Sequence, residues 1–202
     1  GDGAVAGAAI LGRITPVAFA AVFALSSAVG PIVGQNAGAG LYGRVRSTLR
    51  DALYFNVVYI DLVWLVLWYS AEAIVSTFSA SEQAAELLLF YVHFLPGAFI
   101  FNGMLFVSNA SFNNLHYPHS ATCFNFGRAL LGTIPAVYFG AKWYGAKGVM
   151  AGEALGAVMF GTLALMGAFA LVRRLEREHI TPDAVAVVEL NAPESVERES
   201  PI

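Results

Sequence analysis

Charge is scarce in this chain. Only 12% of its 202 residues are Asp, Glu, Lys or Arg, about half the share of a soluble domain. A water-facing surface around a chain of this length needs more, so a soluble globular protein is excluded. Cysteine is scarcer still. Cys123 stands alone, which rules out an internal disulfide and a cysteine-rich metal site. The net charge of −3 is small, and most of the arginines fall at the ends of apolar runs rather than on one basic face, so no nucleic-acid footprint is expected. Gly1-Asp2-Gly3 offers neither an initiator Met nor a basic segment before an apolar core. It does not look like a signal peptide, and a cut within a longer chain is expected.

Apolar residues are abundant. They make up 57% of the chain, and the mean hydropathy is +0.65. A membrane helix needs roughly 20 apolar residues, and five runs qualify, at about 4–36, 51–69, 82–112, 118–140 and 148–172. The fold class is therefore all-α, a polytopic membrane protein of about five transmembrane helices. Pro16 and Pro31 predict a tilt or kink in the first span. Arg44 to Arg50 read as an amphipathic lead-in to the second. Ser79 and Glu82 fit a capping box at the start of the third, which Pro96-Gly97 should bend. Pro118 fits the first turn of the fourth, with Pro135 inside it. The polar, acidic stretch 174–202 reads as a disordered tail.

Orientation follows from the basic residues near span ends. Arg44, Arg46 and Arg50 share one side with Arg173, Arg174 and Arg177, and with the turn His116-Tyr117-Pro118-His119. Glu72, Glu82 and Glu86 lie opposite, with Lys142 and Lys147. The arginine side is expected to be cytoplasmic, which puts the first residues outside and the C-terminus inside.

Charges within a bilayer are costly and are usually paired or functional. Four qualify: Arg13, Asp61, Arg128 and Glu153. Counted from the span ends, they predict two interhelical ion pairs, Arg13 with Asp61 and Arg128 with Glu153. Such pairs either fasten the helices or serve function. Asn102, Asn109 and Asn113 are spaced by seven and four, so they share a helix face, bordered by Phe99 and Phe106. Amides among rings suit a cleft for amphipathic cations; interhelical hydrogen bonding suits them equally. Gly3-x-x-x-Gly7 and Gly152-x-x-x-Gly156 predict close helix contacts. Gly38-Ala39-Gly40-Leu41-Tyr42-Gly43 matches G-x-G-x-x-G but follows a membrane span rather than a strand, so it is no dinucleotide site. His93, His116 and His119 lack ligand spacing for a metal.

The end of the first span, Pro31-Ile32-Val33-Gly34-Gln35-Asn36-Ala37-Gly38-Ala39, resembles the Pro-x-x-Gly-Gln-Asn-x-Gly-Ala signature of multidrug and toxic compound extrusion (MATE) transporters. Phe101-Asn102-Gly103-Met104, Asn125-Phe126-Gly127-Arg128, Gly132-Thr133-Ile134-Pro135 and Gly145-Ala146-Lys147-Gly148 extend the likeness over about residues 1–172. By that resemblance the chain corresponds to helices eight to twelve, most of one lobe of a twelve-helix transporter whose N-terminal lobe is its missing partner. The resemblance implies a bacterial inner-membrane, multi-pass, cation-coupled efflux antiporter for multidrug or organic-cation substrates, working by alternating access and needing no cofactor beyond coupling Na+ or H+. Asn102, Phe106, Asn109 and Asn113 would then face the substrate cleft, and Pro31, Gly34, Gln35 and Asn36 would form gate structure where the helix breaks; a helix end closed by glycine is the plainer reading. One departure stands out: no Asp or Glu occurs between Glu86 and Glu153, where many members carry an acidic residue. Coupling would rest on Asp61, on Glu153 or on the other lobe. A lipid-linked oligosaccharide flippase would want a more cationic cavity. An intramembrane enzyme would need a carboxylate pair or an activated nucleophile, and neither is visible. A non-transporting helical scaffold is the third alternative.

Overall fold

The computed structural model describes residues 2–78 and 80–190, with side chains as far as His179. All regular structure among these residues is helical: α1 Asp2–Ala18, α2 Ala20–Gly38, α3 Tyr42–Thr77, α4 Glu82–Phe94, α5 Ala98–Asn114, α6 Pro118–Gly127, a π-helical segment Arg128–Thr133, and α7 Ile134–Leu190. Three stretches are long and apolar enough to cross a membrane: Ala20–Gly38, Tyr42–Thr77 and Pro118–His179. The pair α4 and α5, bent by 62°, is long and apolar enough only when taken together. The third stretch counts twice, because Gly145 (φ 60, ψ −136) reverses the chain within it. Only glycine adopts that backbone region without steric cost. Five legs result.

Tight turns join the legs. At the end of α2, Leu41 N–H reaches Asn36 O at 2.8 Å and Gly40 N–H reaches Ala37 O at 2.9 Å, with Gly40 at φ 72. This is a Schellman closure. It is repeated after α5, where Tyr117 N–H bonds Phe112 O at 2.8 Å and His116 takes the left-handed position, φ 66. The legs alternate in direction, so the turns gather at two ends. Arg46 pairs with Glu176 at 3.4 Å at one end. Lys147 donates to Glu86 at 2.7 Å at the other. The arginine-rich and Glu/Lys ends expected from the sequence are thus separate ends of the bundle.

Several expected boundaries shift. The first span is broken at Phe19 (φ −110, ψ 19), one turn after Pro16, which supplies no N–H and crowds the preceding turn. By contrast, α2 runs unbroken through Pro31, Gln35 and Asn36 to Gly38, so the break expected at the signature is absent. The Arg44–Arg50 lead-in is simply the first part of the 36-residue α3. Ser81, not Ser79, is the N-cap of α4, which places Glu82 at the first helical position and makes no capping box; Ser79 lies outside the described residues. The tail expected to be disordered from residue 174 is helical as far as Leu190. Its first turns are held against α3 by the Arg46–Glu176 pair and by His179, whose ring meets Tyr42 edge-on at 5.5 Å. Residues 191–202 lie outside the described residues.

The core forms where the legs cross. One cluster near the arginine-rich end contains Val29, Val33, Val45, Leu49, Val107 and Val172. A second surrounds the break at Phe19, with Val22, Ile60, Leu67 and Val92. Outside these, Tyr54, Leu62, Leu65 and Val66 on α3, and Leu130, Leu131, Ile134 and Tyr138 on the fourth leg, are exposed. An apolar perimeter around a helical bundle is what a bilayer stabilises and water does not.

Candidate functional site

Two helix breaks lie side by side, and α3 serves both. In a regular helix Ala18 O would accept from Val22 N–H. Val22 instead bonds Phe19 O at 3.0 Å, and the freed Ala18 carbonyl accepts the hydroxyl of Tyr59 at 2.8 Å. Val92 O has no helical donor four residues on, because residue 96 is proline. The indole Nε1–H of Trp64 takes that place at 3.1 Å. An unsatisfied carbonyl in a bilayer costs several kcal/mol by the transfer estimate (roughly 2–7 kcal/mol), so both side chains have a clear structural role. Phe19 and Phe99 stack across the two breaks, with centroids 3.8 Å apart and planes 5° from parallel.

Beside this junction lies a cavity of about 470 Å³, walled by α1, α4, α5, the start of the π-helical segment and α7. Most of its wall is apolar. Its polar groups are Thr15, Tyr91, Asn102, Arg128 and Glu153. Thr15 Oγ1 and Tyr91 Oη share a hydrogen bond at 3.1 Å. The Nε of Arg128 is buried and has no hydrogen-bond partner. Arg128 opens a π-helical turn that runs to Thr133, closed by Ile134 N–H to Ala129 O. Pro135 follows immediately and cannot continue a regular ladder. Wide turns of this kind recur at functional sites.

The candidate residues are distributed as follows. Asn102 lines the cavity with Phe99. Phe106 turns instead to Phe23, 5.3 Å between centroids. Asn109 donates to Asn125 Oδ1 at 3.3 Å, an interhelical bond between α5 and α6. Asn113 is exposed near the arginine-rich end. The shared face of the three asparagines therefore serves three purposes along its length. Gly34 packs near Asn114 of α5, and Asn36 bonds back to Ile32 O at 2.8 Å. Gln35 is exposed.

Neither expected ion pair is a salt bridge: among the described residues the bridges are Arg46–Glu176, Arg50–Asp51, Lys147–Glu86 and Arg174–Glu178. For Arg13 and Asp61 the reason is rotational. Asn56, Ile60 and Leu67 form the buried face of α3, which turns the neighbouring Asp61 outward, while Arg13 lines a separate apolar groove with Tyr59, Leu62 and Val66. Arg128 and Glu153 do face one cavity, but without direct contact. Facing one cavity from two of its walls does not bring their charged groups within salt-bridge reach. Asn56 was missed altogether. It is fully buried, donates to Ile100 O at 2.9 Å and rests against Gly103, where a Cβ would collide with it. A lone amide inside an apolar run, facing a helix with a Pro-Gly break, is the signal that could have found it.

No group of three or more potential metal ligands occurs among the described residues. With this geometry established, comparison places the chain. The model of the MatE family matches residues 1–139, so the chain belongs to the MatE family of transporters. It is 33% identical over 138 residues to a FAD transporter of Shewanella oneidensis, covering 68% of this chain and 30% of that protein. An uncharacterized 21 kDa protein in the iaaL 5′ region of Pseudomonas savastanoi is also 33% identical, over 77% of this chain and 51% of its own length. In three dimensions the chain superposes on the MATE transporter VcmN of Vibrio cholerae with a TM-score of 0.81 at 23% identity, covering 87% of this chain and 41% of that one. The chain thus spans about half or less of the length of the proteins it matches.

Proposed function

We propose that this chain provides most of the C-terminal lobe of an alternating-access efflux antiporter that exports amphipathic organic cations, driven by an inward Na+ or H+ gradient. The observation that carries the reading is the polar cavity at the place where two membrane legs break together. A cavity beside paired hinges can open to either side as the outer halves α1 and α4 swing. Glu153 is the cavity's only carboxylate among the described residues, and it is the group at which a coupling cation and a cationic substrate compete. The arginine-rich end is cytoplasmic by the charge rule, and the protein sits in a bacterial inner membrane with its N-terminal lobe as partner. Catalysis plays no part in this reading.

The test is ethidium efflux from proteoliposomes holding the full protein that contains this chain. Imposed Na+ and H+ gradients should each be tried. One of them should drive efflux, and Glu153→Gln should uncouple it. Flat traces under both gradients would end the proposal. The FAD transporter relative supports a second reading, in which the cargo is an anionic flavin. The unpartnered Nε of Arg128 favours it, and the same vesicles loaded with FAD distinguish the two. A flippase of the same superfamily is the remaining rival, and two opposite charges in one cavity make it too weakly cationic for a lipid pyrophosphate.

A further inference from the structure

We propose that the groove where α3 meets α7 at the arginine-rich end seats the phosphate of an anionic phospholipid from the cytoplasmic leaflet, with the start of an acyl chain on the apolar turn below it. Such a seat would stand whatever cargo the protein transports. Six arginines gather at this end: Arg44, Arg46 and Arg50 of α3, and Arg173, Arg174 and Arg177 of α7. Against them stand three carboxylates among the residues whose side chains are described, Asp51, Glu176 and Glu178. An excess of arginine by itself only sets orientation. Here three of the six, Arg46, Arg50 and Arg173, come from two helices and line one pocket of about 400 Å³, with Phe169 in its wall. Basic pockets between membrane helices on the cytoplasmic side suit lipid headgroups. The guanidinium fork matches two phosphate oxygens at once.

The arginines of this pocket are loosely held. Arg173 is exposed and forms no side-chain hydrogen bond or ion pair among the described residues. Arg50 reaches only its chain neighbour Asp51, at 3.4 Å, and the two side chains are 76% and 70% exposed. An exposed pair of that kind contributes little. Arg46 meets Glu176 at 3.4 Å. A charge-assisted bond normally spans about 2.7–2.9 Å, and the Arg174–Glu178 and Lys147–Glu86 pairs, outside the pocket, both close to 2.7 Å. An anion can therefore draw on the pocket's guanidiniums without breaking a tight bridge. One turn deeper, Tyr54 on α3 and Met166 on α7 are 74% and 64% exposed, on the same helix faces as Arg50 and Phe169. Charge thus gives way to apolar surface within one turn, as it does from a lipid headgroup to its chain. A soluble anion would use the arginines and leave Tyr54 and Met166 uncovered. A lipid uses both, and that favours the lipid.

The test is native mass spectrometry of the full protein that contains this chain. It is titrated in detergent with dioleoyl phosphatidylglycerol or with dioleoyl phosphatidylcholine, which differ in headgroup charge but share their chains. Phosphatidylglycerol should bind at least about tenfold tighter, since three arginines face its phosphate. Arg173→Gln and Arg50→Gln should each weaken it about fivefold, the worth of one arginine near a charged surface, and leave phosphatidylcholine unchanged. Arg173→Lys, which keeps the charge without the fork, should fall between. Arg44→Gln removes the same charge from the same end but outside the pocket, and should cost far less. All these side chains are exposed, so melting in phosphatidylcholine should match the parent and separates a lost seat from a lost fold. Equal binding of the two lipids would overturn the proposal. So would a loss at Arg44→Gln as large as that at Arg173→Gln, because attraction would then be diffuse. If glycerol 3-phosphate displaces phosphatidylglycerol at equal concentration, the ligand is a soluble phosphate and the lipid seat fails. None of these readings depends on ethidium efflux, so the transport reading stands or falls separately.

Discussion

The bundle has two halves built on opposite principles. In the first three legs the helices are interrupted, at Phe19 and at Pro96-Gly97, and side chains from α3 satisfy the carbonyls so released. In the hairpin of the last two legs the backbones themselves touch. Gly140 meets Gly148, Gly152 meets Ala136 and Val137, and Gly156 meets Thr133, a run of contacts whose sequence positions climb on one leg as they fall on the other. Small residues let membrane helices approach in this way. The difference teaches where motion can occur. A break capped by Tyr59 and Trp64 can bend while its carbonyls stay bonded. A glycine seam cannot open without losing contact along its whole length. The cavity lies on the boundary between the two halves, with one wall from each.

Filling the seam should produce the largest effect. A Cβ at Gly148 would run into the Gly140 carbonyl, and backbone cannot rotate away as a side chain can. Gly148→Ala is expected to cost about 3 kcal/mol, the upper end for overpacking, despite alanine's better helix propensity. The measurement is thermal unfolding in detergent, and a melting temperature at or above that of the parent would show that the seam is looser than described. In the broken half the corresponding contact is between Gly103 and the Asn56 amide. There Gly103→Ala should cost about 2 kcal/mol, and the double variant with Asn56→Ala should recover part of it, because the obstacle is a side chain that can be removed. A double variant no better than the single one would mean that backbone, not Asn56, sets the fit.

Much of this was legible in the residues. Scarce charge and five apolar runs specify a helical membrane bundle, Pro96-Gly97 specifies a bend, and Gly3, Gly7, Gly152 and Gly156 mark close approach. Gly3 and Gly7 do lie against Gln83, Ala84 and Leu87 of α4. Asn102, Arg128 and Glu153 were singled out, and they meet at one cavity. What periodicity could not supply was the identity of the partners. The break follows Pro16 rather than Pro31, although both prolines remove one rung; the surroundings decide, and at Phe19 a hydroxyl from a distant helix is there to receive the carbonyl. The ion pairs failed for a related reason. Depth along a helix says which residues are level, but rotation about its axis decides which face each other, as at Asp61, and even Arg128 and Glu153, which do face one cavity, form no salt bridge across it.

The cap on the second break gives the finest test of the contrast. Trp64→Phe removes the donor to Val92 O and should cost about 1 kcal/mol for the hydrogen bond, with some lost packing besides. Pro96→Ala restores a backbone N–H at the position from which a regular helix would serve that carbonyl. If the indole is there to replace the missing rung, the cost of Trp64→Phe should shrink in the Pro96→Ala background, since Val92 O would already be satisfied. The lost packing is common to both arms of the cycle and cancels. An unchanged cost would show that Trp64 matters only through its contact with Gly97. Among the described residues no side chain from a distant helix bonds a carbonyl in the hairpin of the last two legs, so bending is expected in the half with α1 and α4.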